Sequence, residues 1–429
     1  MKKMIRLFPA LVLSVILINA TSVYAGNDKD RHSDTLNFKS YYGKVVDAAT
    51  NASLPFAAIE LEGSNVSTVT NIDGEFTLKV PKSGTFKSVK ISYLGYLNRF
   101  VLLTEFKDSK SLTLRLEPTS VQMQAITIRP GDPSELIAKI LSNVDQNYSL
   151  EPMLMKAFYR ETIKNRKNYV AISEAVVDIF KSPYKTDFQT DQVKMERGRK
   201  SADVAKMDTV LVKLKGGPAI SLLLDIVKHP YVLLTDEYKK VYDFLLNDII
   251  SLDDRLHYVI SFNQKEDVEQ PFYQGKLYVE MESLAITEAE FELNVENSKE
   301  AEMLFVQKKP LGMSITPEKA VYRTKYVIDN GKWYFNYARA EVKFKVDWKK
   351  KLFNSYYTTM SEIAVTDRTN EGVERFAMKD RLTRNDILDN LVYSFFDADY
   401  WGEYNVIEPD QSIESAIRKL NKKFRQDEE

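Results

Sequence analysis

Short runs of alternating residues, each closed by a turn former, constrain this chain more than any other feature. Leu112, Leu114 and Leu116 alternate with Thr113, Arg115 and Glu117, and Phe76, Leu78 and Val80 alternate with Glu75, Thr77 and Lys79. Ala57, Ile59 and Leu61 share one side of a third run. A period of two sends successive side chains to opposite faces, so these runs are half-buried strands. Asp73-Gly74 lies between two of them and predicts a hairpin, because a tight hairpin needs positive φ at its centre. The pattern ends near Pro118 and predicts a seven-strand-class β-sandwich with Phe76, Leu78, Ile59, Ile91 and Leu114 in its core.

What precedes the sandwich reads as an export signal. Lys2, Lys3 and Arg6 give a positive start, Leu7 to Ile18 an apolar core too short for a stable anchor, and Val23-Tyr24-Ala25 a small-x-small cleavage site. Residues 1–25 are therefore expected to be a cleaved signal peptide and 26–40 a flexible polar leader. No cysteine is present, which excludes disulfides, thiol nucleophiles and acylation at a cysteine, and suits a periplasm. The chain carries 60 basic and 61 acidic residues; losing the signal removes three positive charges and no negative one, taking the net charge from −1 to −4. That balance gives no reason to expect a nucleic-acid partner.

Beyond the sandwich (41–118) and a linker (119–132), residues 133–367 are expected to form a second, antiparallel α+β domain. Asp132 is a suitable N-cap, followed by Pro133 and Glu135, and Leu136, Ile137, Ile140, Leu141 and Val144 form one helical stripe. Tyr169–Phe180 is rich in β-branched residues, and Gly275–Glu280 pairs naturally with Ile286–Val295. Asn330-Gly331 predicts a hairpin between Val321–Ile328 and Lys332–Val346. Gly217-Pro218 opens a second helix through Leu222, Leu223, Ile226 and Val227. Residues 368–429 are expected to be a charged segment with a final helix capped by Asp410.

Four motifs carry a resemblance: Gly43 to Asp47, Leu54 to Ala57, Thr70 to Phe76, and Tyr93 to Tyr96. In this order they resemble the carboxypeptidase regulatory-like domain family, a transthyretin-like β-sandwich. Lys44 interrupts the opening glycine-valine pair, and Asn71 replaces the usual aspartate. The resemblance implies a place in a Gram-negative envelope and an accessory role without peptidase activity. The second domain, with Ala157 to Glu161, Gly275 to Val279 and Gly331 to Tyr334, is similar in element order to the open half-barrel of Lol-type lipoprotein carriers. The fold class expected is thus mainly β: a transthyretin-like sandwich followed by an α+β half-barrel.

The chemistry available is sparse. The three histidines, His32, His229 and His257, begin no ligand pair, so no metal, cofactor or catalytic set is expected. Asp253-Asp254 and His257 are separated by the turn that enters the strand 256–262. Val342, Phe344, Val346 and Trp348 are expected on one face of a strand, and Arg339, Lys343, Lys345 and Lys349 on the other, as a solvated face or a basic rim for anionic lipid or an acidic partner. Phe344, Trp348, Tyr334 and Tyr322 are the candidate ligand-binding residues, lining a half-barrel groove. The function expected is a non-catalytic binding or adaptor protein at the outer membrane, its partner an unknown envelope protein and its membrane contact peripheral. The alternatives are a periplasmic carrier of lipid or another apolar ligand and a hydrolase using carboxylates alone.

Overall fold

The computed structural model describes residues 14–17, 37–106, 111–119, 133–185, 190–202, 212–230, 233, 240–252, 254–308, 311–349, 353–394 and 400–418. Most of the expected signal, the leader up to 36, the linker from 120 and the Asp132 cap lie outside them. Within the expected signal, strand β1 (Ser14–Leu17) runs between β12 (Val212–Lys215) and β17 (Val306–Lys308) in a small sheet.

The sandwich is built as the alternation requires. Its strands are β2 (Phe38–Asp47), β3 (Ala58–Leu61), β4 (Ser67–Val69), β5 (Glu75–Pro81), β6 (Ser88–Ser92), β7 (Arg99–Leu102) and β8 (Leu112–Leu116). They form a three-stranded sheet ordered β5-β2-β8 and a four-stranded sheet ordered β4-β3-β6-β7. Ile59, Phe76, Leu78, Ile91 and Leu114 are all buried in one cluster between them. The Asp73-Gly74 turn is not a hairpin within one sheet, because β4 and β5 belong to different sheets. It is a crossing: the Asn71 carboxamide accepts from the backbone N–H of Asp73 (3.0 Å) and Glu75 (2.8 Å). Gly74 then turns at φ +78°, where a Cβ would stand 2.5 Å from the Val45 carbonyl. Two of the motif residues also meet. The Tyr96 hydroxyl donates to Asp47 (2.7 Å), which with the Thr50 contacts holds the Asp47 carboxyl down at about 2.

The second domain is one open antiparallel sheet made of two meanders. β9 (Met153–Asn165), β10 (Asn168–Lys181) and β11 (Gln192–Ala202) walk from its middle to one edge. β13 (Tyr242–Leu252), β14 (Arg255–Gln264), β15 (Tyr273–Glu280), β16 (Ile286–Leu293), β18 (Met313–Asp329), β19 (Lys332–Trp348) and β20 (Ser355–Thr369) return from the other edge until β20 pairs with β9. The short β21 (Arg381–Leu382) and β22 (Tyr393–Ser394) attach to β11, giving twelve strands. Asn330 (φ 47°) and Gly331 (φ 76°) make the expected hairpin between β18 and β19.

The apolar, inner face of this sheet packs on α1 (Pro133–Ser142), α2 (Val144–Asn147) and α3 (Gly217–Ser221) in a single core. The helix expected through Val227 ends early. A 3-10 turn (Leu222–Leu224) follows α3 and stops at Asp225. Asp225 is fully buried and accepts from Tyr184 (2.9 Å), Tyr326 (2.8 Å) and the Lys228 N–H (3.1 Å), and it pairs with Lys181 (2.7 Å). Meeting those four partners takes precedence over continuing the helix.

The C-terminal segment also departs from expectation. Residues 400–410 form a strap over the outer face, burying Trp401, Val406 and Ile407. The expected final helix follows at 411–418, with the Asp410 carboxylate accepting from the Ile413 N–H (2.7 Å). Phe76→Ala in the full chain is expected to lower unfolding stability by roughly 3–5 kcal/mol, read by denaturant titration. A loss below about 1 kcal/mol would place Phe76 outside the sandwich core.

Candidate functional site

Residues opposite one another on adjacent strands share a face of the sheet. Reading the register outward from β11 gives one row on the outer face: Arg199, Glu174, Arg160, Glu362, Arg339, Arg323, Glu290 and Lys276. The signs alternate across these strands except where Arg339 and Arg323 stand side by side. Arg160, Glu174 and Glu362 are almost wholly buried, at 2%, 1% and 3% exposure. Arg160 satisfies its guanidinium in three directions. It bonds Glu174 on β10 (2.8 Å), Glu362 on β20 (3.3 Å), and the carbonyl of Ile407 in the strap (2.8 Å). Burial pushes the Glu174 carboxyl up, but the Arg160 and Arg199 guanidiniums outweigh it and leave its pKa lowered.

The sandwich meets the row at its one flaw. Like charges directly opposite are destabilising, and the ring of Phe56 lies beside both, 5.5 Å from the Arg323 guanidinium and 5.3 Å from that of Arg339. The same ring stacks on Tyr337 at 5.5 Å. Phe56 reaches this place at φ +64°, a strained conformation for a bulky residue. Its amide donates to Thr70 O (3.0 Å) and its carbonyl accepts from Lys325 (3.1 Å). The strap and sandwich are locked to each other as well. Asn405 pairs with the Lys79 backbone in both directions (2.7 and 3.1 Å).

Beside Phe56 the outer face opens into a groove of about 580 Å³. Its floor is two adjacent cross-strand rows spanning β14 to β19. One holds Ser261, Lys276, Glu290, Arg323 and Arg339. The other holds Asn263, Gln274, Glu292, Val321 and Glu341. The groups form a hydrogen-bonded lattice: Arg323 pairs with Glu290, Arg339 with Glu341 (3.0 Å), and Gln274 donates to Glu292 (2.8 Å). A smaller cleft of about 190 Å³ lies on the other side of Phe56, towards Arg160 and the strap.

The four candidate binding residues are not brought together. Tyr334 and Trp348 stand fourteen residues apart on β19, roughly 46 Å at about 3.3 Å per residue. Phe344 is buried edge-to-face against Phe305 (5.7 Å). Tyr334 lies under the Arg368 guanidinium (4.9 Å), and Trp348 packs at the margin of the core. Tyr322 stacks on Phe291 (5.2 Å) in the inner core, where its hydroxyl finds no hydrogen-bond partner among the described residues, and both residues also line the groove. Val342, Phe344 and Val346 do face the core while Arg339 and Lys343 face outward. Sequence reasoning missed the role of Phe56 and, apart from Arg339, which it placed on the outward face, the charge row. The available signal was an ionisable residue at alternate positions inside strongly apolar strands, as at Arg160 and Glu174.

One buried acid lies on the other side of the sheet. Glu161 faces the inner core between Ser173 and Ser361 and accepts from the Tyr159 hydroxyl (2.9 Å). Burial pushes its pKa up to about 8. His257 is also fully buried on β14, past the turn that holds Asp254, and burial lowers His229 to about 4. Among the described residues no group of three or more His, Cys, Asp or Glu side chains is placed to hold a metal ion.

The fold is therefore a seven-stranded sandwich docked on the outer face of an open antiparallel sheet. Residues 41–128 match the family model of the CarboxypepD_reg-like domain, which covers well under half of the chain. Comparison with curated proteins finds no match. Among solved structures the chain is similar to a DUF1329 family protein from Desulfovibrio piger, with 14% identity, covering 57% of this chain and 96% of that one at a TM-score of 0.22. It is also similar to lipovitellin, with 8% identity, covering 58% of this chain and 28% of that one at a TM-score of 0.26. At these scores neither similarity bears on function.

Two outcomes follow from the buried acids. Glu174→Gln leaves Arg160 short of a charged partner and is expected to cost about 3–5 kcal/mol at pH 7. Because the Glu174 pKa is lowered, its contribution is present above the ordinary glutamate value of 4.5 and lost as pH falls below it, so wild type and variant should converge in acid. Glu161 has the opposite sign. Its folded-state pKa is raised, so its contribution is complete below pH 4.5 and lost as pH rises towards about 8. Glu161→Gln should match wild type near pH 4 and exceed it, on the order of a few kcal/mol, above pH 8. Thermal melts across pH check both, and a pH-independent difference in either variant would contradict the assignment.

Proposed function

We propose that this chain is a non-catalytic cell-envelope protein with a binding or adaptor role, exported through the N-terminal signal and working on the periplasmic side of the outer membrane. The observation that carries the binding role is the groove at the seam of sandwich and sheet. Its size is that of a ligand site, its lining combines paired charged side chains with apolar ones, and it is bounded by the residue that docks the two parts together. The inner face supports a carrier of apolar ligands less well, because α1, α2 and the 217–227 segment fill the described part of it. The sandwich then serves as an accessory that completes a recognition surface, in keeping with its regulatory-like family.

Photocrosslinking tests this reading. A photoreactive residue at Asn263, exposed at the groove, is expected to trap one discrete envelope component in cells, whereas the same probe at Lys139 on α1 is not. Absence of any Asn263-dependent product would sink the binding role. The localisation is checked separately. The protein should fractionate with the envelope and be released by a carbonate wash, and retention through that wash would contradict a peripheral location.

A further inference from the structure

We infer that the seam groove takes a neutral polyhydroxylated chain, an oligosaccharide lying across β14 to β19; this rests on the binding role proposed above. The shape comes first. The two floor rows cross five strands, and with strands about 4.8 Å apart the floor is roughly 19 Å long. That is a track for several linked rings and not a socket for one.

The charges narrow the class. Lys276, Arg323 and Arg339 face Glu290, Glu292 and Glu341, three cations against three anions. Neither an anionic nor a cationic ligand gains net attraction from such a floor. An apolar ligand would strip water from six charges and return nothing to them. A hydroxyl both donates and accepts. Each guanidinium has five N–H donors and each carboxylate about four lone-pair sites, so the pairs Arg323–Glu290 and Arg339–Glu341 keep their own bonds and still have capacity for hydroxyls.

An extended peptide fits less well. Peptides that bind sheets by main-chain hydrogen bonds add to an unpaired strand edge. Here the floor is the face of strands already paired on both sides. Phe56 and Val321, with Phe291 and Tyr322, which also line the groove, supply the apolar contact that the C–H faces of sugar rings need.

The test uses the full chain and calorimetric titration with four probes: maltohexaose, cellohexaose, the anionic hexagalacturonate, and an uncharged peptide of alternating Ser and Thr. The expected result is saturable binding of at least one neutral hexasaccharide. It should weaken at least tenfold in the Gln274→Ala/Glu292→Ala double variant and stay unchanged in Lys139→Ala, with identical circular dichroism in all three proteins. Failure of both neutral sugars to bind, or binding indifferent to the double variant, overturns the inference. Binding of the peptide or the anionic sugar alone, lost in the double variant, overturns the ligand class and leaves the binding role standing. No binding by any probe, together with no crosslink at Asn263, overturns both.

Discussion

A buried guanidinium must be satisfied on every side or it destabilises the fold that contains it. Arg160 is that group here, and its acceptors come from three distant parts of the chain: Glu174 on β10, Glu362 on β20, and the carbonyls near Ile407 in the C-terminal strap. The requirement fixes register as well as composition. A slip of one residue in β9, β10 or β20 would carry the matching charge to the other face. On an open surface such a row would contribute little, because exposed ion pairs are worth less than about 1 kcal/mol. Roofed by strap and sandwich, the same row becomes the condition under which those parts can close over the sheet.

The inner face holds its two buried acids by different means. On the inner face Asp225 is buried beside Lys181, and the Lys181 charge outweighs burial and keeps its pKa lowered. Glu161, buried on the same face, accepts from the Tyr159 hydroxyl, and burial together with the charge of Asp389 pushes it to about 8. The difference is the partner and not the depth, since both carboxyls are enclosed. Asp225 therefore acts as a charged hub that ends the 3-10 turn behind α3 and anchors Tyr184 and Tyr326. Glu161 is an acid held neutral at pH 7, the form that costs least to bury.

Much of the sandwich was legible because its information is local. Period-two patterning and the positive-φ turn at Gly74 are local signals, whereas the Tyr96–Asp47 bond joins residues 49 apart and was not read. The Asn330-Gly331 hairpin was readable because it is likewise local. The 217–227 segment was not, because its stop depends on Tyr326, a hundred residues downstream. Nor was the strap: Trp401, Val406 and Ile407 are spaced among polar residues with no helical or strand period, and only the assembled sheet and sandwich show what they cover. The charge row is the clearest case. Each of its members looks like an ordinary surface residue in sequence, and the row exists only once the strand order places β20 beside β9.

The flaw in the row links docking to the groove. Arg323 and Arg339 stand opposite each other, and their repulsion is eased by Glu290, Glu341 and Glu362 around them and by the Phe56 ring beside both. The same two guanidiniums are part of the groove floor. Any ligand that bonds to them changes the field at Phe56, and any shift of Phe56 changes the donors offered to the ligand. Under the proposed binding role, binding and docking would share a free-energy term, and linkage would make that coupling reciprocal. The strained φ of Phe56 is then understandable as the local cost of putting an apolar ring where the charge alternation fails. A glycine there would relieve the backbone but leave two guanidiniums facing each other without the ring, so docking selects the strained residue.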